Sequence, residues 1–272
     1  MVNPITKTRA ISTNNSIYIS SIQSMIILSA TLLTSILLNV GDPIIRSYNY
    51  VFIYIVAAIP IIRSIFLELG NKALKYFVFW SLLNVVLFIS YGEDILLANG
   101  DIKAFDKIGL DIARYWSYGG DILPEMSFLQ SNSIIYFGSI LQYGLNYYVF
   151  GNDIKSVVMC SIYFHLISSI LLIKITEVIK LNENSSRLVI LVNLFNPFWL
   201  LTIHGGHRDI FIFIGLLVGF LGLHELDKKK KISFILIAVS LILIISFRAQ
   251  FLIVLAVYVI YKYHKKKKIY IL

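Results

Sequence analysis

RLVILVNLFNPFWLLTIHGGHRDIFIFIGLLVGFLGL, residues 187–223, is the stretch on which the fold turns. Two apolar runs, 187–203 and 210–223, flank a polar knot, His204-Gly-Gly-His-Arg-Asp209. Neither run alternates with the period of two that a strand facing water on one side requires. Each approaches the roughly 20 residues that cross a ~30 Å hydrocarbon layer as a helix. An isolated Arg or Asp at mid-bilayer costs roughly 3 kcal/mol or more. The knot therefore belongs at a helix end or against a polar cavity.

Further apolar runs lie at 22–40, 50–67, 76–90, 156–175, 232–247 and 249–263. Of the 272 residues 58% are hydrophobic and the mean hydropathy is +0.79, more apolar surface than a soluble domain of this size can hide. The expected fold is all-α: a polytopic integral membrane protein of about eight spans, with in-plane juxtamembrane helices on its outer face. Cys160 is the single cysteine, so no internal disulfide can form. The formal charge of +9 would suit nucleic acid only if its placement were ignored. Much of the excess lies in Lys228–Lys231 and Lys265–Lys268, at the edges of apolar runs, which marks cytoplasmic loops and contact with anionic phospholipids. Residues 1–21 are polar and carry Lys7 and Arg9. The apolar run that follows lacks a small-x-small cleavage pattern, so it reads as an uncleaved anchor.

Charge also assigns the two faces. The basic loops 67–75, 180–187, 228–231 and 262–268 should be cytoplasmic. The segment 91–131 holds seven acids and three bases and has no such retention signal. Only an even number of crossings can separate loop 67–75 from loop 180–187. Ser133–Phe150 therefore should not span. Its Gly138, Gln142, Gly144 and Asn146, with Tyr136, Tyr143, Tyr147 and Tyr148, suit an interfacial, in-plane helix. The expected organisation is a cytoplasmic segment 1–21, three membrane helices in 22–90, an outer loop 91–154, five membrane helices in 155–264 and a basic cytoplasmic end, 265–272. Both termini are cytoplasmic, and Arg63 snorkels from the inner end of its helix.

On this assignment Asp101, the His204–Asp209 knot and Phe247-Arg-Ala-Gln250 share the outer face. Asn99-Gly-Asp101 opens an amphipathic stretch with Ile102, Phe105, Ile108 and Ile112 at helical spacing. Asp101 is either the N-cap of that helix or a general base on an incoming hydroxyl. Asp209 either balances Arg208 and caps the next helix, or orients an acceptor as a second acid. Arg208 and Arg248 suit a lipid-linked phosphate, or ordinary headgroups. His204 and His207, with Gln250, complete the candidate binding set. The spacing His204-x-x-His207-x-Asp209 can be written as a metal motif, but no fourth ligand accompanies it. No cofactor is fixed by the sequence, and a divalent cation is compatible with it. His165 reads as an interhelical packing residue, and Asn196-Pro197 as a kink or an early helix end.

Read in order, these features resemble the glycosyltransferase C superfamily, the multispan transferases that use polyprenyl-linked sugars. Asp101-x-x-x-Phe105-x-x-x-Gly109 is similar to its loop pattern of an acid, a Tyr after a gap of three and a small residue, with Phe105 in place of the Tyr. Tyr136–Gly151 is similar to a stretch that ends in aliphatic-Phe-Gly and lies along the membrane. Asn196-Pro197 through Arg208-Asp209 is similar to a Pro, a small polar turn and an Asp opening the next helix. The likeness covers roughly 95–250. Full members carry further spans, so it is to a truncated or divergent member. The resemblance implies Asp101 as catalytic base and Asp209 as secondary acid. It also implies a lipid-linked sugar or glycan donor, a glycan or lipid acceptor, and work in cell-surface polysaccharide or glycolipid assembly at a bacterial inner membrane. A repeat-unit polymerase is the nearest variant. A non-catalytic lipid-linked glycan transporter or assembly partner is the reading from another class, and it requires charges deep within the spans.

Overall fold

The computed structural model describes residues 49–98, 100–118, 137–226 and 230–269, together with the isolated position Ile26. Ile26 aside, the expected first span 22–40 lies outside the described residues, as do the terminal segment 1–21 and residues 119–136. Among the described residues the chain is helical and contains no strand. The helices are α1 (Asn49–Leu69), α2 (Ala73–Ser90), α3 (Glu93–Leu97), α4 (Gly100–Ser117), α5 (Phe137–Phe150), α6 (Ile154–Val178), α7 (Glu183–Phe195), α8 (Pro197–His204), α9 (Asp209–Glu225), α10 (Lys230–Arg248) and α11 (Leu252–Ile269).

Five stretches are long and apolar enough to cross a membrane: Tyr50–Leu69, Ala73–Ser90, Ile154–Val178, Glu183–His204 and Lys231–Lys262. The last of these is broken. Arg248 takes an extended conformation (φ −161°), and one 3-10 turn, Ala249–Phe251, separates α10 from α11. Helix α9 is comparably apolar but has 17 residues. The described runs expected from the sequence thus all fold as helices.

Local chemistry sets the boundaries. The Asp153 side chain accepts from the Lys155 N–H at 2.9 Å and caps α6. Asn182 caps α7 in the same way through the Ser185 N–H. Proline cannot continue α7, so that helix stops at Phe195. Asn196 then caps α8, with Pro197 at its first position, where a missing N–H costs nothing. Asn196-Pro197 therefore ends one helix and starts another.

Helix α6 forms the central post, packing against α1, α5, α7, α8 and α9. The closest pairing is α9 with α10, along a stripe of Gly215, Gly219 and Gly222. A Cβ on Gly219 would lie 2.4 Å from Ser240 Oγ, and one on Gly215 would lie 2.9 Å from Ile244. Small residues at this spacing let two membrane helices approach where no hydrophobic force distinguishes helix from lipid. Interhelical hydrogen bonds add to the packing. Tyr50 donates to Asp153 at 2.9 Å, Tyr54 to Asn146 at 3.0 Å, and the Asn193 amide to Ser168 and Ser169. His165 is fully buried and bonds the Asn193 carbonyl, as its packing role predicted.

Helix α4 is strongly amphipathic. It buries Ile102, Phe105, Gly109, Ile112 and Ala113, leaves Asp101, Lys103, Lys107 and Arg114 exposed, and half-buries Asp106 and Asp111. With 14 residues, α5 is about 21 Å long, short of the ~30 Å core. Two of its tyrosines turn into the bundle. Tyr143 and Tyr147 are each 1% exposed, because each hydroxyl finds a partner inside the bundle.

Candidate functional site

Four helix ends or faces meet in a small cleft of about 20 Å³, room for one water. The start of α4 supplies Asp101, Ile102 and Phe105. Helix α5 supplies Ser139 and Tyr143, and the turn from α8 to α9 supplies Gly206, His207, Arg208 and Asp209. Arg248, at the end of α10, closes the ring. Five of the seven residues singled out in the sequence, from three separate segments, therefore line one space.

The turn is built by its glycines. Gly206 has φ +72°, which a side chain rarely tolerates. A Cβ on Gly205 would lie 2.9 Å from the His207 ring, so the ring can fold over the turn only because none is there. The Tyr143 hydroxyl donates to the Gly206 carbonyl at 3.0 Å and pins the loop to α5. Arg208 is 6% exposed, and its guanidinium lies 5.1 Å from the Phe105 ring centre, a cation–π contact. Asp209 opens α9, where a carboxylate suits the helix dipole. Its Oδ1 lies 3.7 Å from the Arg248 Nη1 across the α9–α10 interface. Asp209 thus balances Arg248 by direct contact. Asp101 sits in the first turn of α4, after Gly100 has begun the helix, and is exposed.

Two predicted binding residues are not brought here. His204 is fully buried and turns into the bundle, where Nε2 donates to Asn84 Oδ1 at 3.0 Å. Gln250 is exposed in the turn after α10 and does not line the cleft. With His204 facing inward, His204, His207 and Asp209 do not converge. Among the described residues no group of three or more His, Cys, Asp or Glu is placed to hold a metal.

The sequence reading also missed partners. Asp106 accepts from the Tyr147 hydroxyl at 2.5 Å. Burial pushes its carboxyl above the ordinary carboxylate range, and the Tyr147 bond offsets part of that rise. Burial, and then the charge of Asp106, push the Tyr143 hydroxyl well above its ordinary value, with Arg208 pulling the other way. Tyr147 is raised by the same two causes in the same order. Both phenols are therefore fixed as neutral donors. Ser139 is fully buried, lines the cleft, and its Oγ has no hydrogen-bond partner among the described residues. Helical spacing from Gln142 and Tyr143 could have placed Ser139 on the inner face of α5. The spacing Gly215-x-x-x-Gly219 could likewise have set α9 against α10, and so Asp209 against Arg248.

No family model, curated protein or solved structure matches this chain. Two guanidiniums in the cleft can hold an anion, and one exposed carboxylate can take a proton from a ligand bound above it. The buried Ser139 hydroxyl can add a neutral hydrogen bond.

Proposed function

We propose that this chain is a membrane glycosyltransferase that draws a sugar or glycan from a polyprenyl-phosphate-linked donor, in assembly of a cell-surface polysaccharide or glycolipid. The observation that carries the reading is the convergence of Asp101, Arg208, Asp209 and Arg248 in one cleft, beside the buried hydroxyl of Ser139. In this reading the donor phosphate docks at the mouth of the cleft, which holds about one water, and widens it to reach both Arg248 and the buried Arg208. Asp101 takes the proton of the acceptor hydroxyl. The acceptor oxygen bonds to the anomeric carbon as the bond from that carbon to the phosphate oxygen breaks, and the electron pair leaves with the polyprenyl phosphate. The guanidiniums meet that charge as it develops. Asp209 holds Arg248 in place and so serves through it.

The topology that goes with this reading has eight spans, both termini in the cytoplasm of a bacterial cell, and the cleft at the outer face of the inner membrane. Cys160 is buried, so single cysteines introduced at exposed positions can be mapped against a quiet background. Asp101→Cys should react with an impermeant maleimide added outside sealed cells, and reaction from the cytoplasmic side alone refutes the sidedness.

Protein reconstituted in lipid and supplied with polyprenyl-phosphate sugars should transfer them. Asp101→Asn should lower turnover by about 10²–10⁴-fold, the usual worth of a general base. Turnover that survives the substitution removes Asp101 from the role. Failure of the wild-type protein with every polyprenyl-phosphate sugar counts against the reading as a whole.

A further inference from the structure

Away from the cleft, a cavity of about 350 Å³ lies among the membrane helices, lined on α1 by Ile55 and Ala58, on α2 by Trp80 and Val85, and on α6 by Met159 and Ile162. We propose that it holds an acyl chain of a resident bilayer phospholipid.

Three observations support this occupant. First, water has little to hold it. The Tyr54 hydroxyl, which also lines the cavity, is given to Asn146. Asn84 is bonded through Nδ2 to the Trp80 carbonyl and through Oδ1 to His204. The Trp80 indole N–H has no hydrogen-bond partner among the described residues, and Ser81 and Tyr163 add hydroxyls to the lining. The other ten lining side chains are apolar, so a filling of several waters, each needing two to four partners, would be left short. Second, the cavity opens sideways. Ile55 and Val85 line it while being 53% and 54% exposed, so its mouth lies between α1 and α2 on the apolar surface. The exposed Phe52, Phe79, Leu82 and Ile89 continue that surface on the same two helices. What can enter there is hydrocarbon. Third, α2 buries only Ala73, Trp80 and Asn84 among the described residues. An acyl chain between α1, α2 and α6 would add contacts along its length.

No charged side chain lines the cavity. Nothing there selects a headgroup, so the most abundant hydrocarbon in the bilayer fills it by mass action, and that is a phospholipid acyl chain. At about 30 Å³ for each water-sized group, 350 Å³ takes roughly a dozen methylenes. The inference requires only that the bundle sit in a bilayer. It does not depend on the transferase reading.

The test uses the full chain in nanodiscs whose phospholipid carries a diazirine near the end of one acyl chain. After photolysis, peptide mass spectrometry should find label at Met159 or Ile162. Val85→Phe, at the exposed mouth, and Ala58→Leu, inside, should each remove most of that label, while the lipid-facing Phe79 and Ile89 keep theirs. Absence of label on α6 overturns the proposal, and so does label that neither substitution reduces. Label from a photoreactive polyprenyl phosphate but not from the phospholipid also overturns it. So does capture of residues 22–40 by Val85→p-benzoylphenylalanine, which would make the occupant part of this chain.

Discussion

Gly109 is where the cleft can be tested without knowing a substrate. Helices α4 and α5 cross at this position so closely that a Cβ on Gly109 would lie 2.5 Å from Tyr143 Cβ, and 3.1 Å from the backbone of Tyr143 and Gly144. Carbon atoms rest at about 3.5–4.0 Å, so Gly109→Ala leaves a shortfall of about 1 Å. The atoms it meets are a Cβ and main chain, which no rotamer change can move. Helix α4 must therefore shift bodily from α5. Asp101 and Phe105 ride on α4, with Asp101 about 12 Å along its axis from Gly109, whereas Ser139, Tyr143 and the Gly206 carbonyl stay with α5. The two halves of the cleft come apart by about the same distance.

Overpacking of this kind costs about 1–3 kcal/mol of stability. A displacement of about 1 Å at a reacting centre costs on the order of a hundredfold in rate. Trp116 packs edge-on to Tyr148 across the same interface, with ring centres 5.8 Å apart, and its fluorescence reports the separation. Gly100→Ala on the same helix is the control, because a Cβ there meets nothing within 4 Å. Thermal unfolding and Trp116 emission of the two variants should separate cleanly, Gly109→Ala destabilised and red-shifted, Gly100→Ala like wild type. If Gly109→Ala unfolds and emits as wild type does, the close crossing is wrong, and with it the rigid link between the halves of the cleft.

The remaining expectations concern single side chains. Ser139→Ala should leave thermal stability unchanged or slightly higher, since the hydroxyl has no partner to lose. It should weaken binding of a polyprenyl-phosphate probe by about 1 kcal/mol, roughly fivefold, in a direct titration. Tyr143→Phe leaves the Gly206 carbonyl without its side-chain donor and should cost about 1–2 kcal/mol in thermal unfolding, with weaker probe binding because the turn bearing Arg208 is released. Arg248→Ala removes a partly exposed ion pair, so stability should change by less than about 1 kcal/mol while transfer is lost. For Asp106 the folded carboxyl keeps its proton to higher pH than the unfolded one, whose value is 3.8. In that window the folded state binds more protons, so stability falls as pH rises through it. Asp106→Asn should flatten the wild-type stability curve as pH rises above 3.8, and a curve of unchanged slope refutes the assignment.

Residues differ in how far the sequence betrays their surroundings, and the cleft samples both extremes. Arg208 was legible because the bilayer makes its cost large and forces it to a helix end. The inner face of α4 was legible because Ile102, Phe105 and Ile112 recur at helical spacing, and all three are buried. His204 was not. It stands three residues from His207, but the Gly205–Gly206 turn breaks the helix between them, so helical spacing cannot say which faces the cleft. The partners of Tyr143 and Tyr147 were hidden for a different reason. A tyrosine suits a membrane interface and a buried hydrogen-bonded site equally well, and the choice rests on a partner remote in sequence. For Tyr147 that partner is Asp106, 41 residues away, and for Tyr143 it is the Gly206 carbonyl, 63 residues away. Asp209 and Arg248 likewise meet only after the glycine stripe of α9 has drawn α10 close.

Helix α5 explains why so polar a segment can sit inside so apolar a protein. Its Asn146, Tyr143 and Tyr147 carry groups whose unpaired burial would cost about 1–3 kcal/mol each, and each is bonded to a different neighbour: Tyr54 of α1, the turn before α9, and Asp106 of α4. The hydrogen bonds that make α5 tolerable therefore also tie together the elements that form the cleft. Two groups on the same helix depart from this pattern, since the Gln142 Oε1 and the Ser139 Oγ are buried without a hydrogen-bond partner among the described residues. Of the two only Ser139 lines the cleft that holds Arg208 and Arg248, so in the proposed reading it is the Ser139 hydroxyl that a bound ligand can engage.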